Sequence, residues 1–582
     1  LGEFDISLTL SGNFKGPVCD IRGKAVDLTI GKNTELKANI SISGLPDIHN
    51  SLLVFDIKNL TIAPNDLAEL KKTDTGTPLF VFPENLKVLE NISYTGNFTG
   101  FISDFVAYGT LESAIGSISM DLAIKPTQQK STRFNGVVST KRLDLGKLTN
   151  NPLLGTTSLW ASIKGSTDYK RNIEAQTEAT IYSIVANDYD YNNIKISGNL
   201  SNKTYVGSVF LDDPNIKLNF MGKVDLSDSI PVFNFSAFVP KIDLVKLNFN
   251  KVDSISQASF LLTSKFSGSN LDNSMGEVKV LNCIYKNQNG EIKTSDITIV
   301  ANNTADSKLI SLKSEFIEGE LRGKYNYANI FSSFSQLIYR YIPALNPENK
   351  KPELVLSGVE NPEFNDYIIK LRLRKTQKLL NVISPGFKIA ENTSLFGIYN
   401  PDFQSVTLKV MIPELMLGGN LIKNISIDGQ TNDSSFVASI STPFIDVGGG
   451  QIRNIVIATT TSDNNIDTRL SWDNKTQIKN QGIINAVAHF EHASQNPNRR
   501  IKLDVNPSQL LLNDTLWNIS PSEVSIDSSK IAISGFKLFN KGQYLMVSGN
   551  ISSNPKDSVV VEVNNLDISN INLYTKDKGY LL

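Results

Sequence analysis

Ile216-Lys217-Leu218-Asn219-Phe220-Met221-Gly222-Lys223-Val224-Asp225-Leu226 decides how the chain is read. Apolar or small residues hold the even positions, while Lys217, Asn219, Lys223 and Asp225 hold odd ones. A period of two describes an extended strand with one apolar face and one wet face. The pattern recurs from end to end: Phe4, Ile6, Leu8 and Leu10 at the start, Val406, Leu408, Val410 and Ile412 further on, Val559, Val561 and Val563 near the end. These residues are the candidates for a shared apolar surface. The functional question is what such faces are turned towards.

Strand candidates follow one another at the spacing of roughly 8–12 residues that marks all-β architecture, with Gly, Asn and Asp between them. A Gly-Asn pair recurs at Gly12-Asn13, Gly96-Asn97, Gly198-Asn199, Gly419-Asn420 and Gly549-Asn550 and is expected to turn the chain between strands. A second recurrence sets Leu143-Asp144-Leu145-Gly146-Lys147-Leu148 against Ile242-Asp243-Leu244-Val245-Lys246-Leu247, with a weaker echo at Leu566-Asp567-Ile568. The repeat has no fixed short period, which argues against a solenoid of identical rungs.

Helical signals are few. Ile330, Phe331, Phe334, Leu337, Ile338 and Tyr341 form one stripe, stopped before Pro343, and it is expected to pack against the concave side of a sheet as a plug or lid. A shorter helix is expected from an N-cap at Thr376 through Leu379, Leu380, Val382 and Ile383 towards Pro385. The break around Pro343 to Pro352 divides the chain into sections 1–345 and 346–582. No Ser/Gly tether separates modules. A row of independent sandwiches should show a reset about every 100 residues, so one continued sheet suits the chain better.

Composition narrows function further. At 582 residues the chain exceeds one ordinary core, which stops growing at roughly 250–300 residues. Its 57 basic residues balance 58 acidic ones, so nothing favours nucleic acid. Two cysteines, Cys19 and Cys283, make neither a disulfide framework nor a zinc pattern. No apolar run approaches the ~20 residues of a spanning helix, and the chain opens on Leu1 inside a strand-like run. It therefore reads as an internal piece of a longer protein, with edges that should associate. Asn-x-Ser/Thr triplets at Asn39, Asn91, Asn97 and Asn199 read as turn-forming asparagines rather than glycosylation sites.

Candidate catalytic and metal motifs fail one by one. His489-Phe490-Glu491-His492 has the wrong spacing for a zinc helix and no third ligand. Asp463-Asn464-Asn465-Ile466-Asp467 starts like a calcium loop, but Thr468 stands where glycine is required and Asn474 where a bidentate Glu is required. Asp212-Asp213-Pro214-Asn215 reads as a turn, and Gly448-Gly449-Gly450 as a bend or bulge in a strand. No histidine has convincing partners for acid–base work. An enzyme is not expected, nor a metal or cofactor.

The one-sided strands, the Leu-Asp-Leu turns and the run from Asp212 to Asp225 resemble the TamB proteins of the AsmA-like superfamily, in the large form found in Bacteroidota. Gly323-Lys324-Tyr325-Asn326-Tyr327 before the Ile330–Tyr341 stripe, and Asn513-Asp514-Thr515-Leu516-Trp517-Asn518-Ile519 before Val524-Ser525-Ile526, add to the likeness. The resemblance implies a mainly all-β fold: a long curled antiparallel-type sheet, a β-taco or open incomplete barrel, with an apolar groove and a few short helices. It also implies a non-enzymatic periplasmic scaffold that conducts phospholipid between inner and outer membranes and supports outer-membrane biogenesis. An Omp85-type barrel is the implied partner. Contact with the membranes, including an inner-membrane anchor, would come from segments outside this chain. The family brings no catalytic residues. The competing expectation is a secreted adhesin or carbohydrate-binding array of β-sandwiches, each with a closed core.

Overall fold

The structure, a computed structural model, describes residues 7–63, 66, 88–127, 131–168, 172–304, 307–324, 327–346, 366–400, 405–417, 420–432, 434–447, 450–491, 500–527 and 529–566. Among them are 35 strands in one sheet and a few short helices. The fold is mainly antiparallel β, as the alternation predicts. The described pairings join strands that follow one another along the chain, apart from places where a single strand is split. Thus Arg500–Val505 and Ser508–Leu512 lie end to end along Gln481–Glu491, broken at Asn506-Pro507. Thr515–Ile519 and Ser522–Ile526 likewise share the partner Lys530–Asn540, broken at Ser520-Pro521. Proline has no amide to give the ladder, so it interrupts a strand without displacing it. No Greek-key crossover occurs among the described strands.

The chain forms two compact units, residues 1–269 with 278–293, and residues 270–277 with 294–582. This partition falls inside Met275–Asn287 and Gly290–Asn302 and differs from the sections 1–345 and 346–582 read from the sequence. Residues 347–365 lie outside the described residues.

In the first unit the register propagates one face through strand after strand. Leu10, Leu28, Leu36, Leu60, Tyr94, Leu111, Ile118, Thr140, Leu159, Ile181, Ile194, Leu211 and Leu218 each stand directly opposite the next. Directly opposed residues share a face, and a slip of one residue would send every later side chain to the other side. None has occurred.

The ladder is broken on purpose along a line across the strands. Register shifts fall at Ser11/Asn13, Gly23/Val26, Lys37/Ala38 and Ile57/Leu60 in four successive strands. Ala25 and Arg142 take left-handed backbone there and at a later shift, with φ of 48° and 51°. Their amides donate to the Asn39 Oδ1 and Ser158 Oγ of the next strand, both at 3.0 Å. The second unit uses a different device. Ladder pairs flank Pro413 opposite Asn424 and Pro443 opposite Asn454, and both asparagines are left-handed (φ 52° and 48°). Ile425, Thr442 and Ile455 are buried beside this line. Aligned bulges bend strands and increase twist, so curvature is written into the backbone.

Both full copies of the Leu-Asp-Leu recurrence cap a single turn between strands. Asp144 Oδ1 accepts from Lys147 N at 3.0 Å at the start of α1 (Leu145–Thr149), and Asp243 Oδ1 accepts from Lys246 N at 3.1 Å. Leu143 joins Leu89, Ile92 and Ile115 in a buried cluster, and Leu247 is fully buried. In the third copy Asp567 and Ile568 lie outside the described residues, while Leu566 packs beside Leu510, Trp517 and Ile519.

Four of the five Gly-Asn pairs are not turns. Gly12, Gly96, Gly198 and Gly549 lie inside Leu8–Lys15, Ile92–Phe101, Tyr189–Ser201 and Gln543–Ser552. Gly419 lies outside the described residues, and Asn420 opens Asn420–Thr431. Space explains the glycines: Gly96 faces Gly109 and Gly198 faces Gly207, with the Tyr94 and Tyr205 rings laid over the pairs. The Tyr205 hydroxyl donates to Ser197 O (3.1 Å) or Ser208 O (3.2 Å), which keeps it off the apolar face. Gly450 also departs from expectation, since it pairs with Val447 and so opens the second strand of a hairpin; Gly448 and Gly449 lie outside the described residues.

Candidate functional site

The candidate site is an apolar face. Beside the row from Leu10 to Leu218 run three more, Val26 to Leu262, Phe14 to Ser264 and Ile21 to Phe266, at successive inward positions. On the strand Ile216–Asp225 they pass through Leu218, Phe220, Gly222 and Val224. No charged side chain stands in any of the four rows. Their polar members are Thr140, Thr177, Ser264 and the two tyrosines. Three intervals of two residues at ~3.4 Å make the uncharged band roughly 20 Å wide.

Ile216, Leu218, Phe220 and Val224 are half-buried, while Lys217, Asn219 and Met221 on the other face are exposed. A facing sheet would bury these positions outright; elsewhere in the same rows Val26, Ala38, Leu53, Ala175, Leu211 and Ala237 are buried. Leu8 and Leu10 carry the face onto the first described strand, which has one neighbour among the described strands, and are 60% and 54% exposed. Phe4 and Ile6 lie outside the described residues.

The second unit repeats the construction. Ile299, Leu312, Gly319, Leu371, Leu395, Val410, Ile427, Ile440, Ile457, Leu470 and Ile484 stand opposite one another in turn, again without a charge. Val406, Leu408, Val410 and Ile412 are half-buried on this face, whereas Lys409 and Met411 point away. Val559, Val561 and Val563, opposite Gly549, Val547 and Leu545, lie exposed on the last described strand.

Part of the second face is covered from within. Helix α2 (Tyr327–Tyr341) sets Tyr327 and Leu337 against Leu321, Tyr367, Tyr399 and Val406, and brings the Tyr341 ring 6.5 Å from Phe436. Its first amide donates to Asp272 Oδ1 at 2.9 Å, and Asp272 holds Lys308 at 2.6 Å. At the other end Asn464 N donates to Tyr341 O (3.0 Å), and Ala344 N donates to Asn464 Oδ1 (2.6 Å). From Lys308 to the hairpin at Asn464 the ladder advances eight strands, about 38 Å of sheet at ~4.8 Å each. The helix is only about 21 Å long at 1.5 Å per residue. It is the chord of an arc, so the second unit's sheet is concave around it. Burial pushes the Tyr341, Tyr367 and Tyr399 hydroxyls above the usual phenol range, as an apolar seat requires.

The second predicted helix exists as α3 (Thr376–Ile383), with Val382 buried. Thr376 is its first residue rather than its N-cap, and the hydroxyl donates to Arg374 O at 3.1 Å or Phe316 O at 3.3 Å.

The polar motifs take structural places. Asp463 and Asn464 form a two-residue hairpin turn with φ of 46° and 65°. Asp213, 1% exposed, accepts from Tyr189 Oη (2.6 Å), Asn192 N (3.1 Å) and Asn215 N (2.8 Å). His489, expected to lack partners, has two: Nδ1 meets Asn465 Oδ1 at 2.6 Å and Nε2 meets Asp504 Oδ2 at 3.2 Å. Both sit on neighbouring strands, and cross-strand register brought them together. His492 lies outside the described residues. Among the described residues no cluster of three His, Cys, Asp or Glu could hold a metal, and no helix is long and apolar enough to cross a membrane.

No protein-family model matches the chain, and no curated protein matches it either.

Proposed function

We propose that this chain is a non-enzymatic lipid-conducting scaffold of the TamB kind, acting in the periplasm between two membranes. The observation that carries the reading is the uncharged band of the first unit, wide, half-buried on Ile216–Asp225 and continued from strand to strand. A bilayer's hydrocarbon core is about 30 Å thick, or about 15 Å per leaflet, so a band of roughly 20 Å accommodates an acyl chain across its width. A 16-carbon tail gains roughly 12 kcal/mol on leaving water. Against a bilayer, where tails are already dry, the exchange is nearly neutral. Such a face passes lipid along rather than trapping it, and net direction must be imposed elsewhere. An Omp85-type barrel and the two membranes are the proposed partners.

The test is mass spectrometry of what co-purifies with the protein. Phospholipid should accompany the wild type and fall about tenfold in Leu218→Asp, where a charge enters the band. Asn219→Asp, on the other face of the same strand, should leave the lipid in place. Lipid-free wild type, or equal lipid in all three proteins, removes the reading.

A further inference from the structure

Part of the second unit's band is covered by the chain's own helix. We propose that the surface beneath α2 is itself an acyl-chain site, with α2 as a resident strap that a lipid tail displaces; the inference rests on the lipid reading above. Leu321, Tyr367, Tyr399 and Val406, on which Tyr327 and Leu337 lie, share the face of the half-buried Leu408, Val410 and Ile412. A tail replacing the helix exchanges one apolar cover for another, so little burial is lost.

Two features make the strap releasable, beside the bonds that pin its ends, Tyr327 N to Asp272 and Asn464 to Tyr341 O and Ala344 N. Among the described residues the buried Tyr341 hydroxyl has no hydrogen-bond partner, a deficit relieved when the helix leaves. Ile338 is 49% exposed, so among the described residues no second layer covers that side of the helix. A fifteen-residue helix is marginal alone in water, and release should therefore show as loss of helix protection.

The decisive variant is Asn464→Gly. Glycine keeps the left-handed turn and the amide bond to Tyr341 O but deletes the acceptor for Ala344 N, whereas Asn464→Asp restores an acceptor oxygen. The protein is mixed with vesicles containing a phosphatidylethanolamine that carries a photoreactive diazirine in one acyl chain, and the labelled peptides are mapped. Label on Asp366–Leu373, Ser394–Asn400 and Ser405–Leu417, relative to Ile216–Asp225, should rise about tenfold in Asn464→Gly, the population change expected for one lost hydrogen bond. It should return towards wild type in Asn464→Asp. As a second measurement on the wild type, vesicles should speed amide exchange in residues 327–341. Label on 216–225 with no gain on 366–417 and no change in exchange overturns the strap alone. Absence of label from both regions overturns the lipid reading, and the strap with it.

Discussion

At the scale of single residues, stability rests on a few satisfied polar groups inside polar turns. Asp213→Ala removes the acceptor of three donors at a buried position, so it should cost about 3 kcal/mol; urea unfolding followed by exchange at residues 186–216 measures it. Asp225 offers a pH-dependent test. The Lys223 ammonium, then Ser227 and Thr204, hold its carboxyl well below the ordinary 3.8. A depressed folded value contributes stability above pH ~4 that is lost as the pH falls from there. The difference in urea midpoint between wild type and Asp225→Asn should therefore shrink on acidification below pH ~4 and stay constant above it. The alternation at 216–226 was fully legible as a sequence. The glycines at 96 and 198 were not, because their reason is a tyrosine two residues away on their own strand or across the ladder, and that reason has no local signature.

At the scale of elements, the bends matter more than the strands. Asn424 and Asn454 are left-handed, a conformation that costs a β-branched residue roughly 1–2 kcal/mol. Asn424→Val should lower the melting temperature, while Asn424→Gly should be nearly neutral; a thermal scan of both separates backbone strain from lost side-chain contacts. Leu247→Ala should cost about 3 kcal/mol by opening a cavity under the Asp243 turn. The recurrence at Leu143 and Ile242 was visible because Asp capping and a buried leucine both have fixed offsets. The bend at Pro413 and Pro443 was hidden, since asparagine is common throughout and only the ladder shows which ones face a proline.

At the scale of each unit, face parity was in the sequence but continuity was not. Alternation tells which residues of one strand share a side; only register tells that Leu10 and Leu218 lie on the same side of the same sheet. The concavity of the second unit was anticipated through the helical stripe, though its proof needed the two anchors at Asp272 and Asn464. A charge placed on the band at Leu408→Asp should reduce bound phospholipid less than Leu218→Asp does, because α2 covers part of that face, and mass spectrometry of the two variants compares them.

Because each described strand, split strands counted as one, pairs with its predecessor and successor, the sheet is modular in hairpins. Deleting or inserting one hairpin would leave the parity of every other strand intact and change the length by two ladder steps, about 10 Å. Removing a single strand would reverse the direction of all that follow. Such a sheet can lengthen or shorten by whole hairpins while keeping its surface chemistry.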